Sequence, residues 1–332
     1  MSGSAVLLVN LGSPASPRPD DVRHYLDQFL MDPYVIDVPV PLRALIVKGF
    51  ILPTRPKNTS RAYASIWTAE GSPLIVISER TRHALEERLQ RPVGLAMRYG
   101  EPAIPRAVAE LAARAPGCDE IVVAPMYPQY AMATTKTVEV AAEPALAQTG
   151  LPYRFVPPFF SDDGYLGAME ARIRNDYPGD AQYLLFSYHG IPARHLRKTD
   201  PTHAHCLTPN CCAIPSVAHA TCYRHQCIET TERLADRLGL AAESYGFSFQ
   251  SRLGSGWLEP FTDVLLEQFP ARGITRLAVV CPSFIADCLE TLEEIAIRGR
   301  EAFLAAGGES LHYIPCLNDD PLWIEALAQL CR

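Results

Sequence analysis

The sequence predicts an α/β protein of two similar domains, each a parallel sheet of about four strands flanked by helices. Three observations predict it. Short apolar runs alternate with stretches of helical periodicity, the signature of strand–helix–strand units. The second half repeats the order of the first, and LLVNLGSP and IVVAPMYPQY find faint counterparts in LLFSYHGIP and LAVVCPSFIAD. The length, 332 residues, suits about two domains, each with its own core.

Taken in order, residues 6–9 form the first strand, closed by a turn at Leu11, Gly12, Ser13 and Pro14. A helix spans about 20–31 and a charged helix 78–90. Residues 93–97 read as a strand ending at Arg98 and Tyr99, and 104–114 as a helix. Residues 121–124 are a strand ending at Pro125, Met126 and Tyr127, and 153–156 a fourth strand halted by Pro157 and Pro158. In the second half, 183–186, 244–249, 277–280 and 312–314 are the strands, the last stopped by Pro315. These are Rossmann-like units: an N-terminal domain over 1–165 and a C-terminal domain over 166–320. A cysteine-rich insert occupies 196–227, and the helix at 321–332 straps back onto the first domain. No low-complexity linker separates the halves, so a cleft between their strand ends is expected.

Hydrophobic residues make up 48%, charged residues 20%, and the net charge is −7. No basic stripe exists, which excludes nucleic-acid binding. The first residues lack a basic start, and the apolar run at 5–9 is too short for a signal peptide. No run of 18 apolar residues could span a membrane. The apolar stretch 35–53, broken by Arg43 and Lys48, is a core helix by periodicity, or a lip resting on lipid. Ten cysteines without an export signal point to a reducing, cytoplasmic setting, where clustered thiols mean metal or catalysis.

Three stretches carry chemistry. In YLLFSYHGIP, at 183–192, His189 sits in a loop just past a buried strand, where open α/β sheets bind ligands. Gly190 allows an unusual backbone angle and Pro192 ends the ladder. A histidine there is either a hydrogen-bonded structural residue or a functional base, and spacing alone does not decide. In FIADCLETLEEI, at 284–295, Asp287, Glu290 and Glu294 are spaced to share one helix face. Crowded carboxylates raise one another's pKa and suit a divalent cation in passage. The third stretch holds Cys206, Cys211, Cys212, Cys222 and Cys227 within 22 residues, with His203, His205, His219 and His225 and three prolines. Four thiolates there would hold an iron–sulfur cluster or a zinc ion. Cys118, Cys281, Cys288, Cys316 and Cys331 are scattered and read as buried core. Strand-end residues such as Tyr25, Arg98, Tyr99, Tyr130, Ser187, Gln250 and Trp257 suit a large flat ligand bearing carboxylates.

SYHGIP followed by SFIADCLETLEEI resembles the ferrochelatases, which insert ferrous iron into a porphyrin. The likeness covers nearly the whole chain, including VNLGSP, EGSP, RYGEP, PMYPQYA and QSRLGSGWLEP. It implies the chelatase-like two-domain α/β fold and, from the branch it is most similar to, protoporphyrin as substrate. Carried over residue by residue, His189 takes the pyrrole protons or ligates the metal. Glu290 faces it, and Asp287 and Glu294 continue the acidic row. Tyr25, Arg98, Tyr99, Tyr130, Ser187 and Trp257 contact the porphyrin. Ferrous iron, held in transit by His189 and Glu290, is a substrate. Cys288 stands where many relatives have a histidine. The insert is similar to that of bacterial members with an internal 2Fe–2S cluster, held here by four of the five cysteines, with zinc as the alternative occupant. A monomer or weak dimer, peripheral to the inner membrane, is implied. The competing readings are a coproporphyrin ferrochelatase, another tetrapyrrole metal chelatase, and a non-enzymatic haem- or iron-sensing carrier.

Overall fold

Strand β1, Ala5–Asn10, is buried along its whole length, as a central parallel strand covered on both faces must be. It pairs in parallel with β2 (Val93–Met97) on one side and β3 (Ile121–Pro125) on the other, and β3 with β4 (Tyr153–Phe155). The order is β2-β1-β3-β4. A second sheet repeats it: β5 (Tyr183–His189) lies between β6 (Tyr245–Gln250) and β7 (Arg276–Val280), and β7 pairs with β8 (Ser310–Ile314). All these pairings are parallel and helices connect the strands, so the α/β class and the duplication read in the sequence are the observed ones.

The computed structural model describes residues 3–332. The chain divides into two compact units: one gathers the chain up to Met126, Met132–Pro157 and Ile324–Arg332, the other Tyr127–Ala131 and Pro158–Trp323. In the first, the end of the chain is tied down by Glu325, paired with Arg88, and by the Arg332 carbonyl, bound by Arg154. In the second, Leu185, Leu266, Phe269, Leu277, Val279, Ile295, Phe303 and Leu311 form a core between β5, β7 and their helices. That core packs β5 and β7 against the helices that follow them.

Three expectations are corrected. The strand carrying His189 runs three residues further than read, because its backbone keeps pairing with β6 as far as His189 opposite Gln250. The stretch 35–53 is not a core helix. Val40–Ala44 is a short α-helix that passes into a wide π-helical segment, Leu45–Ile51, and then a third helix, Leu52–Ile66. Only Arg43, Val47 and Leu52 turn inward; Val40, Leu42, Leu45 and Phe50 are 47–69% exposed. Wide turns move the inward positions to spacings that ordinary helical periodicity does not anticipate. Finally, Cys118 is half-buried, whereas Cys281, Cys288, Cys316 and Cys331 are buried as expected. Among the described residues, no helix is long and apolar enough to cross a membrane.

Candidate active site

The site is built at the carboxyl end of the second sheet. β5 ends at His189, whose Nδ1 lies 2.6 Å from the Gly190 carbonyl. A carbonyl only accepts, so Nδ1 carries a proton, and in the neutral imidazole Nε2 is then the nitrogen with the lone pair. The imidazole is half-buried, with its edge to Phe284. Gly190 donates to the Gln250 carbonyl at 2.8 Å. A Cβ on Gly190 would lie 2.7 Å from that oxygen and 3.3 Å from the Trp257 ring. Glycine is required here for close approach; its backbone is not left-handed, which corrects the reason read from the sequence.

β6 delivers two residues that hold the acidic pair. Gln250 donates from its side chain to the Glu290 carbonyl at 2.7 Å and accepts from Ser187 at 2.7 Å. Ser251 sits at φ 64° and directs both its N–H and its hydroxyl at the Glu294 carboxylate. A left-handed serine costs about 1–2 kcal/mol. Two hydrogen bonds to a charged group, worth roughly 1.5–3 kcal/mol each, offset that. Burial pushes the Glu294 carboxyl up; the Ser251 bonds and the nearby His189 pull it down, and burial wins. The same balance places Glu294 within electrostatic reach of both His189 and Glu290.

Asp287 does not continue that row. It precedes Cys288, which caps Leu289–Thr291, and the helix then opens into a π-helical segment, Leu292–Gly299. The Asp287 carboxylate accepts from Thr291, Tyr313, Asn318 and the Cys316 N–H, so it is consumed by internal partners. Three carboxylates at helical spacing were expected on one face; the extended backbone at Cys288 turns the first away. Burial, aided by the Glu290 carboxylate, keeps the Cys288 thiol protonated.

The expected substrate contacts divide. Arg98, Tyr130 and Trp257 are half-buried. Tyr25, Tyr99 and Ser187 are buried, and their hydroxyls serve internal partners: Gly12, Asp32, and the Gln250 and Thr262 side chains. They shape their surroundings rather than offering polar groups to a ligand. In the first unit Asp32 binds the Arg98 guanidinium, the Tyr99 hydroxyl at 2.8 Å and Thr137 at 2.6 Å, while Arg98 stacks 4.5 Å over the Tyr99 ring. Asp32 went unread, since a lone aspartate after a helix carries no signal; Ser251 went unread because its role depends on its backbone angle.

The cysteine loop follows the helix after β5, Ala193–Thr199. Thr199 and Thr221 exchange hydrogen bonds across its neck at 3.1 and 2.6 Å. Asp200 accepts the N–H groups of Thr202, His205 and Cys206, which hold its carboxyl far below the usual range, Cys206 foremost. His205 and His219 both reach the Cys211 carbonyl, at 2.8 and 3.0 Å, and His225 reaches that of Cys212. The thiols of Cys212 and Cys206 hydrogen-bond to Cys222, which brings its pKa below the ordinary thiol value, and Cys211 lies within electrostatic reach of both donors. Cys227 stands apart, fully buried one turn into helix Tyr223–Leu238, with its thiol against Tyr223. Among the described residues, no three donors are arranged as a ready metal site.

The family model described as ferrochelatase matches residues 3–332. A ferrochelatase of Ectopseudomonas mendocina is 50% identical, covering 100% of this chain and 98% of the relative. That of Azotobacter vinelandii is 50% identical over 100% and 99%, and that of Pseudomonas aeruginosa 49% over 99% and 98%. Among solved structures, SirB from Bacillus subtilis with Fe3+ shares the fold, with a TM-score of 0.51 at 11% identity over 98% of this chain and 93% of that one. The chain therefore belongs to the ferrochelatase family, lyases that insert iron into protoporphyrin in haem biosynthesis.

Proposed function

We propose that the carboxyl ends of β5 and β6, with the helix after β7, are the iron-insertion centre, and that His189 is its base. One observation carries this: the Nδ1 proton of His189 is committed to the Gly190 carbonyl, so the neutral imidazole presents Nε2 as its accepting nitrogen, with Glu294 in electrostatic reach. Two pyrrole protons must leave as ferrous iron enters the ring, and a neutral imidazole accepts a proton at pH 7. Glu290 and Glu294 relay those protons and neutralise the incoming dication. Their backbone and carboxylate are anchored by Gln250 and Ser251, so little reorganisation is needed as charge moves. Asp287 anchors the start of the acidic helix. Arg98, Tyr130 and Trp257 are the porphyrin contacts, Arg98 with its charge partly met by Asp32. Loss of protoporphyrin fluorescence on adding ferrous iron tests the activity. Turnover is expected with protoporphyrin; turnover with coproporphyrin alone, or with another metal alone, would favour a sister chelatase.

The exposed Val40, Leu42, Leu45 and Phe50 support peripheral contact with a lipid surface, where porphyrins partition.

Cys206, Cys211, Cys212 and Cys222 would be the ligands of a 2Fe–2S cluster, by the chemistry of four thiols in one loop rather than by a preformed arrangement. All four lie in one loop, two of their carbonyls are fixed by histidines, and Cys222 is already biased toward thiolate. Such a cluster supplies a one-electron redox couple. Cys227 is left out because it lies fully buried a turn into the helix Tyr223–Leu238, with its thiol held by Tyr223. Protein purified without oxygen is expected to show iron–sulfur absorption that Cys212→Ser abolishes and Cys227→Ser retains. A colourless protein containing zinc would overturn this reading.

A further inference from the structure

His189 occupies an awkward place in its sheet. β7 pairs with β5 only as far as Phe186 opposite Val280. Gly190 turns its N–H toward β6 and bonds the Gln250 carbonyl. Successive residues of a strand point their backbone groups to opposite sides, so the N–H and C=O of His189 face the side that β7 has vacated. Two side chains take the missing strand's place. The Ser283 hydroxyl accepts the His189 N–H at 3.2 Å. The Tyr223 hydroxyl donates to the His189 carbonyl at 2.9 Å. Tyr223 is 5% exposed, and its hydroxyl is also within hydrogen-bond reach of Ser283 and Cys227. Tyr223 immediately follows Cys222 and opens the helix Tyr223–Leu238.

We propose that Tyr223 is a positioning residue for His189, and that with Ser283 it forms a hydroxyl clamp tying the end of β5 to the neck of the cysteine loop. The proposal rests on the reading of His189 as the base. The clamp fixes the peptide from which the imidazole projects, and with it the Gly190 carbonyl that selects the ring tautomer. An imidazole must be held within fractions of an ångström of the proton it accepts, so a loosened strand end costs rate rather than affinity. The cysteine loop acts on His189 through the same hydroxyl, because any shift of Cys222 moves the first residue of that helix.

The test is Tyr223→Phe in the full-length holoprotein, with Ser283→Ala and His189→Asn beside it. Phenylalanine keeps the ring and removes only the donor. Tyr223→Phe is expected to lower kcat about tenfold, by analogy with other small misplacements of a catalytic group, at unchanged KM for protoporphyrin. The nitrogen-15 resonances of the His189 ring, assigned by their loss in His189→Asn, should shift or broaden while those of other histidines stay. Ser283→Ala should change the same resonances. Wild-type kcat and an unmoved His189 signal in Tyr223→Phe would overturn the clamp. A lower melting temperature with a smaller active fraction, and a His189 signal unchanged in what remains, would also overturn it as mere structural support. Failure of the underlying reading looks different: His189→Asn would then turn over normally, whatever the signal does in Tyr223→Phe.

Discussion

Replacing His189 with alanine is expected to lower the rate of iron insertion by about 10²- to 10⁴-fold, the range a positioned acid–base group contributes, while porphyrin binding stays unchanged. The variant should fold. The His189 backbone is held by Ser283 and Tyr223, and Gly190 by Gln250, none of which needs the imidazole. The side chain itself is half-buried, meets Phe284 at a ring separation of 6.2 Å and, among the described residues, bonds only the carbonyl of its neighbour. Its loss takes the partner from a single acceptor, the carbonyl of buried Gly190, at a half-buried edge of the site, a cost of about 1–3 kcal/mol rather than the collapse of a core network. Turnover is measured as the disappearance of porphyrin fluorescence with ferrous iron, and binding by fluorescence titration without metal. Undiminished turnover would remove His189 from the mechanism and leave the two glutamates as the proton acceptors.

Much of this site was legible because it obeys sequence-local rules. An apolar run ended by Gly190 and Pro192 gives a strand with a histidine at its carboxyl end, and four of the five cysteines are gathered in a proline-broken loop by proximity alone, while Cys227 falls on the helix that follows. What was hidden depends on backbone geometry or on distant partners. Asp287, Glu290 and Glu294 have helical spacing, but the extended backbone at Cys288 ends the helical register, and Asp287 goes to Tyr313 and Asn318 instead. Ser251 looks like any loop serine until its φ of 64° is seen to aim two donors at Glu294. Ser187 reads as a strand-end polar residue, yet it is fully buried and hydrogen-bonds Gln250 across 63 positions of sequence. The apolar stretch containing Phe50 misleads for the same reason, since its wide turns put hydrophobic side chains outside. Composition and periodicity see neighbours in the chain; a bond between residues on two strands, or a change of helical pitch, leaves no trace in them.

Glu294→Gln should separate stability from catalysis. Burial is the dominant influence on the Glu294 carboxyl and raises its pKa above the ordinary glutamate value of 4.5. A carboxyl with a raised folded-state pKa binds its proton more tightly in the native protein than in the unfolded chain. Its contribution to stability is thus fully present below pH 4.5 and is lost as pH rises through the folded value. As the pH rises toward neutrality the wild type loses that contribution, because its surroundings disfavour the ionised carboxylate. Glutamine keeps the shape, accepts the Ser251 N–H through its carbonyl and donates to the Ser251 hydroxyl through its amide, but has no charge to desolvate. The variant is therefore expected to melt a few degrees higher than wild type at pH 7, with the gap closing as the pH falls toward 4.5. Its turnover should fall roughly tenfold or more, because a glutamine can neither accept a proton from His189 nor neutralise ferrous iron. Scanning calorimetry across pH and the fluorescence assay read the two effects independently. A variant that melts lower at pH 7 would mean the carboxylate is stabilised by His189 and Ser251 beyond the cost of its burial. Unchanged turnover would confine Glu294 to holding the end of β6 in place.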